Sequence, residues 1–142
     1  MKTKRDVAML ILMNKEGKFL LQHRAEHLER WPGIWGLFGG GIEEGETPEE
    51  GFIREIAEEL SYRAENPRLL LSEEFDGQYT FGTKYLYTCV HDESQEICLC
   101  AESQAYGWFN LDDIENIKDT NIHKSDFANI KKIMQNSELY NL

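Results

Sequence analysis

"GGGIEEGETPEEGFIREIAEELSY", Gly39 to Tyr62, carries three consecutive glycines and eight glutamates. Its second half reads as a helix. Thr47-Pro48-Glu49-Glu50 has the form of a capping box, with Thr47 as N-cap, Pro48 at the first helical position and Glu50 reaching back. Phe52, Ile53, Ile56, Ala57 and Leu60 then recur at helical spacing and make one apolar side. Glu49 and Glu50 suit the positive helix start. Gly51 is a weak point, costing about 1 kcal/mol relative to alanine in a helix interior.

Glu55, Glu58 and Glu59 stand three and four residues apart and share one side of that helix. Three like charges there repel. A hard cation reverses the sign: Mg²⁺ or Mn²⁺ takes carboxylate oxygens, keeps several waters and leaves room for substrate phosphates. Arg54 is placed to hold a carboxylate bidentately and fix its orientation. Gly39, Gly40 and Gly41 let backbone approach a ligand closely and adopt positive φ. Taken singly, each feature has a bland alternative: a solvated acidic helix face and a plain glycine turn.

Outward from this stretch the chain alternates strands and helices. Residues 6–13 and 18–23 are apolar runs joined by "NKEG" and predict a hairpin. Arg24 to Gly36 is a loop broken by Pro32 and Gly33, and "IWGLFG" is a short strand feeding the glycines. "RLLLSEEF" from Arg68, "YTFGTKYLYTCVH" from Tyr79 and "EICLC" from Glu96 read as strands. "YGWFNL" leads to a helical turn at Asp112–Asn116. "HKSDFANIKKIMQNS", residues 123–137, predicts a closing helix with Phe127, Ile130, Ile133 and Met134 as its core stripe. Mixed strands and helices favour α/β or α+β layering.

The 142 residues suit a single domain, 1–142, with one core. Hydrophobic content of 41% and charged content of 29% fit a folded chain. A net charge of −11 argues against stable nucleic-acid binding. The apolar run Val7–Met13 is short and lacks a cleavage pattern, so a secretory signal fits poorly. With no stretch long enough to cross a membrane, the expected location is the cytoplasm. Cys89, Cys98 and Cys100 are odd in number, which argues against a disulfide framework. With His91 they could present soft ligands to zinc, though paired CxxC knuckles are absent and buried strand cysteines are common.

The box resembles that of the Nudix hydrolases, G-x5-E-x7-R-E-U-x-E-E-x-G-U with U a bulky apolar residue. Here it reads Gly40, Glu46, Arg54-Glu55-Ile56-Ala57-Glu58-Glu59-Leu60-Ser61-Tyr62, with every spacing kept. Ser61 replaces the family's glycine and bears on the helix cap rather than on the chemistry. Tyr62 takes the last apolar position, and Phe38 stands where many members have proline. "FLLQHR" (Phe19–Arg24) and "ESQAYGWFNLDDI" (Glu102–Ile114) resemble the family's flanking segments.

The resemblance implies an α/β/α sandwich with a mixed sheet and a loop–helix–loop that binds divalent metal. It also implies hydrolysis of a nucleoside diphosphate linked to another group. Glu55, Glu58 and Glu59 would be the metal carboxylates, with Gly40 shaping the loop beside the metal. Arg54 and Glu46 would brace them, and Glu43 and Glu44 would be solvated loop charges. Glu102 matches a further family acid, as ligand or base, and is equally well an exposed loop glutamate. Glu58 or Glu102 would be the base.

Arg24 is a candidate phosphate clamp. The three glycines, Phe38 and Tyr79 are candidate substrate contacts, with core packing the alternative for the aromatics. Tyr79, 17 residues after Tyr62, resembles a tyrosine of the family's dinucleoside-polyphosphate hydrolases. The compact chain tilts the expectation toward nucleotide-pool hydrolysis of nucleoside triphosphates, oxidised ones included, over ADP-ribose or nucleotide-sugar hydrolysis. A silent nucleotide sensor and a structural acidic domain are the alternatives from other classes. The expected partner is a small nucleotide, and a homodimer is admissible.

Overall fold

The computed structural model describes residues 2–117 and 121–136. Its elements run β1 (Thr3–Lys4), β2 (Val7–Leu10), β3 (Phe19–Arg24), β4 (Trp35–Gly36), β5 (Gly39–Gly41), α1 (Pro48–Leu60), β6 (Arg68–Asp76), β7 (Thr80–Thr88), β8 (Ser103–Phe109), α2 (Leu111–Glu115) and α3 (Lys124–Gln135). In the larger sheet β7 is central. β6 pairs with it antiparallel on one edge, β1 and β2 run parallel along the other, and β5 lies antiparallel against β2. The smaller sheet is antiparallel, in the order β4-β3-β8.

The layering follows from alternation along the strands. Leu10, Leu12, Leu20 and Phe38 point to one side and bury Phe52, Ile56 and Leu60 of α1. Their chain neighbours Ile11, Leu21 and Leu37 point to the other and bury Ile114 of α2 with Ile130 and Ile133 of α3. Each such side chain contributes about 1.5–3 kcal/mol on burial. Helices therefore cover both faces, and the sandwich with a mixed sheet is the observed fold.

Four readings of the sequence change. The "NKEG" turn forms, with the Asn14 amide donating to Lys18 O at 2.9 Å and the Leu20 amide to Leu12 O at 2.9 Å. The runs it joins pair antiparallel only beside the turn, with Met13 opposite Phe19, and then diverge as β2 enters the larger sheet and β3 the smaller. Gly39–Gly41 form strand β5 rather than a free loop, with Ala8 opposite Gly40. "EICLC" is not a strand; its Cys98 and Cys100 amides instead donate to the Leu60 and Glu59 carbonyls at 2.9 and 3.2 Å, past the end of α1. In α3, Met134 is exposed, and Asp126 and Asn129 share the buried side with Ile130 and Ile133. Ser137, the last residue of that predicted helix, lies outside the described residues. Gly51 also gains a purpose: a Cβ there would come 3.2 Å from both Glu46 Oε1 and Ile42 Cγ1, so the glycine lets the loop lie against α1.

Candidate active site

Helix α1 is fixed at both ends by its own sequence. The Glu50 amide donates to Thr47 Oγ1 at 3.1 Å, and the Thr47 amide to Glu50 Oε1 at 2.9 Å, which completes the capping box. At the far end Ser61 takes the left-handed conformation, φ 52°, and its amide donates to Ala57 O. Tyr62 follows into the core, and its hydroxyl accepts from the Asp92 amide at 2.7 Å. This anchoring holds Arg54 over the preceding loop. Its Nε and Nη2 donate to the two oxygens of Glu46 at 2.7 and 2.8 Å, and Nη2 also reaches Gly41 O at 3.0 Å. Nη1 donates to Glu55 Oε1 at 2.9 Å and lies 3.4 Å from both oxygens of Glu58. The Arg54 hydrogen bonds, with one from the Glu43 amide, hold the Glu46 carboxyl down at about 2.

The three acids of the helix are graded in depth rather than arrayed on one solvated face. Glu58 is 60% exposed and lies along Arg54, Glu55 is mostly covered at 17%, and Glu59 is buried. The backbone glycines make this packing available. Gly39, at φ +147°, donates its amide to Glu59 Oε1 at 3.1 Å. A Cβ on Gly40 would fall 2.5 Å from Glu55 Oε2, so the glycine lets that carboxylate lie where it does beside the strand. Burial pushes the Glu59 carboxyl well above its usual range, and the charges of Glu55 and Glu102 push it further. The Gly39 amide and Arg24 oppose them. Like charges thus converge on one buried oxygen donor. That is the imbalance a hard divalent cation would relieve, and the all-oxygen donor set suits one. Among the described residues, no three acidic, histidine or cysteine side chains are already gathered as a cage. Glu58 would have to leave Arg54 to join one.

A cavity of about 490 Å³ opens beside this cluster, a volume that suits a small ligand. Gly39 and Gly40 belong to its wall, so the backbone that seats Glu55 and Glu59 is also cavity lining. Trp31 also lines the cavity and sits in the left-handed region, φ 53°, a conformation that costs a bulky residue roughly 1–3 kcal/mol. Arg24 holds it there, donating from Nε to Trp31 O at 3.0 Å and from Nη2 to Arg30 O at 2.8 Å. The Trp31 ring meets Tyr79 and His123 edge-on, at 5.7 and 4.7 Å between centroids. Arg30 covers the Tyr79 ring at 5.2 Å. Deeper in, Lys84 and Asp126 form a buried ion pair of 2.8 Å. Burial works against the Asp126 charge, but Lys84 and His123 outweigh it and hold the carboxyl below its usual range.

The NUDIX domain model matches residues 2–129. This chain belongs to the NUDIX family. It is 33% identical to the nucleoside triphosphatase NudI of Escherichia coli O139:H28, over 72% of this chain and 80% of that protein. The crystal structure of the MutT protein from Methanosarcina mazei Go1 superposes with a TM-score of 0.78 at 21% identity, covering 92% of this chain and 95% of the other. The NUDIX domain of Shewanella oneidensis NrtR, solved with ADP ribose, superposes with a TM-score of 0.75 at 21% identity, covering 95% and 89%. As a NUDIX hydrolase this chain is an enzyme acting on phosphoric anhydrides, and its family generally uses divalent metal ions. No helix among the described residues is long and apolar enough to cross a membrane.

The residues expected from the NUDIX box and its surroundings divide into three groups. Glu46, Arg54, Glu55, Glu59, Gly39 and Gly40 are brought together, with Glu58 at the edge and the charge of Glu102 felt at Glu59. Arg24 and Tyr79 line the cavity, with Arg24 also strapping the Trp31 loop. Phe38 is corrected: it is wholly buried and packs in the α1 core, out of reach of a substrate. Gly41 is turned to the Arg54 brace rather than to the cavity.

Among the described residues, the cysteines are not gathered with other possible ligands into a metal cluster. Cys98 is exposed, and Cys89 is buried with its thiol pushed up to about 11. Trp31, Lys84 and Asp126 were not read from the sequence. The signal for Lys84 is alternation, which sets it inward between Gly82 and Leu86 of β7. For Asp126 it is the position four residues before Ile130 on the buried stripe.

Proposed function

We propose that this chain hydrolyses nucleoside triphosphates, oxidised ones among them, to a nucleoside monophosphate and pyrophosphate, with Mg²⁺ or Mn²⁺ as cofactor. One observation carries the reading: Gly39 and Gly40 seat the acids on one side and line the cavity on the other. A nucleoside in the cavity would thus project its phosphate chain toward Glu55 and Glu59. The 33% identity to a nucleoside triphosphatase supports the same substrate class.

Glu55, Glu58 and Glu59 would hold the cation, with Arg54 and Glu46 fixing the first two acids and the loop. Gly40 would keep the backbone clear of Glu55. The cation, when bound, neutralises phosphate oxyanions and lowers the pKa of a water. Glu102 or Glu58 would accept the proton of the attacking water as its oxygen bonds to phosphorus and the bond to the leaving pyrophosphate breaks. Arg24 would hold Trp31 as a wall for the nucleoside while adding positive charge beside Glu59.

The experiment measures pyrophosphate and phosphate release from nucleoside triphosphates, dinucleoside polyphosphates and ADP-ribose, with Mg²⁺ or Mn²⁺. Turnover of triphosphates should lead, and Glu58→Gln should lower it about 10²-fold or more. Absence of metal-dependent turnover on every substrate, or equal turnover by the variant, overturns the assignment.

A further inference from the structure

Lys84 is a charged side chain, 5% exposed, at the floor of the cavity. An ammonium has three N–H groups. One donates to Asp126 Oδ1 at 2.8 Å and one to Ser125 Oγ at 3.3 Å, while the third has no partner among the described residues. Gln22, also buried on the cavity wall, is similar: its amide donates once, to Leu37 O at 3.0 Å, and its oxygen is taken by Ser103 Oγ. The acceptor beside Lys84 is already committed. Asp126 Oδ1 receives Lys84, Oδ2 receives the Leu37 amide at 3.0 Å, and His123 Nδ1 stands 3.6 Å from Oδ1. The unspent hydrogen-bonding capacity around Lys84 and Gln22 is therefore donor in character, while the carboxylates of Glu73, Glu74 and Asp76 line the cavity elsewhere. A buried donor without a partner is costly, and a ligand that supplies an acceptor gains more from a charged donor than from a neutral one.

We propose that the cavity selects nucleobases by the carbonyl oxygen at purine position 6 or pyrimidine position 4, which accepts the third hydrogen bond of Lys84 Nζ while Trp31 walls the base. An exocyclic amino group at that place sets donor against donor. The preference thus runs to keto over amino bases, inosine over adenosine and uridine over cytidine. Lys84 is a specificity residue, placed on β7 and not among the acids of α1. This reading rests on the nucleotide assignment above, but its test needs neither metal nor turnover.

Isothermal titration of the full chain with inosine, adenosine, uridine and cytidine monophosphates reads the ratio directly. Within whichever ring size the cavity admits, the keto member should bind at least about tenfold more tightly. Lys84→Met alone strands the Asp126 charge, so the informative variant is Lys84→Met with Asp126→Asn, whose side-chain oxygen still accepts from the Leu37 amide. It should bring the ratio to about one, with circular dichroism reporting the fold. Equal binding by wild type, or an amino preference, overturns the carbonyl reading and leaves the nucleotide assignment standing. A ratio that survives the double variant overturns the role of Lys84. Failure of every monophosphate to bind overturns this inference, while the nucleotide assignment stands or falls by the metal-dependent turnover above.

Discussion

Arg54 and Glu46 are joined by two parallel hydrogen bonds, 2.7 and 2.8 Å long, that tie the middle of α1 to the loop in front of it. The same guanidinium reaches Glu55, Glu58 and the Gly41 carbonyl. Lysine keeps the charge but not the fork. Arg54→Lys should therefore lower metal affinity by about 10–100-fold in a calorimetric Mn²⁺ titration, the range for lost supporting contacts around a metal ligand. An affinity equal to wild type would show that the charge alone suffices.

Glu59 gives the metal-free protein an unusual pH dependence. Its folded-state carboxyl lies well above 4.5, raised first by burial and then by Glu55 and Glu102. Between 4.5 and that raised value the folded state binds more protons than the unfolded one, so stability falls as pH climbs through this window. Thermal melts without metal should show the decline in wild type and a flatter profile in Glu59→Gln. Glu46 has the opposite sign. Its carboxyl is held at about 2, so its contribution is present above 4.5 and is lost as pH falls toward 2.

Ser61 occupies a left-handed C-cap that the NUDIX pattern gives to glycine. A side chain there costs about 1 kcal/mol, partly offset by the greater freedom of glycine in the unfolded chain. Ser61→Gly should raise the melting temperature by about 2–4 °C, with turnover unchanged. A lower melting temperature would mean that the serine side chain stabilises the cap.

Phe38 tests the correction made to its role. Phe38→Ala should cost about 3–5 kcal/mol in denaturant unfolding, as for other large core truncations. Phe38→Leu should cost much less and leave KM for the nucleotide unchanged. A raised KM with stability intact would return Phe38 to the substrate site.

The helix was legible because its signals are local. Capping box, Pro48, apolar period and brace spacing all lie within residues 46–60, where near neighbours decide the outcome. The sheet was less legible. The runs around Asn14 look like a hairpin by every short-range rule, yet Leu10 and Ile11 donate their amides to Phe38 and Tyr87. Only the long-range pairing of β2 with β5 and β7 decides that. Burial decided two positions that sequence left open: Phe38 beside the glycines suggested a ligand contact and is core, whereas Lys84, which drew no reading, is buried and lines the cavity. "EICLC" has the composition of a strand, but its available partners are the last carbonyls of a helix, an arrangement without a sequence signature.

The alternation of Leu10, Ile11 and Leu12 bears on how the protein comes apart. Successive residues of one short segment anchor opposite helix layers. Releasing α1 exposes Leu10 and Leu12, and the segment then has little reason to keep Ile11 seated under α3. The layers are therefore coupled through covalent neighbours, and heat should dissolve them in a single cooperative step rather than peel one from the other.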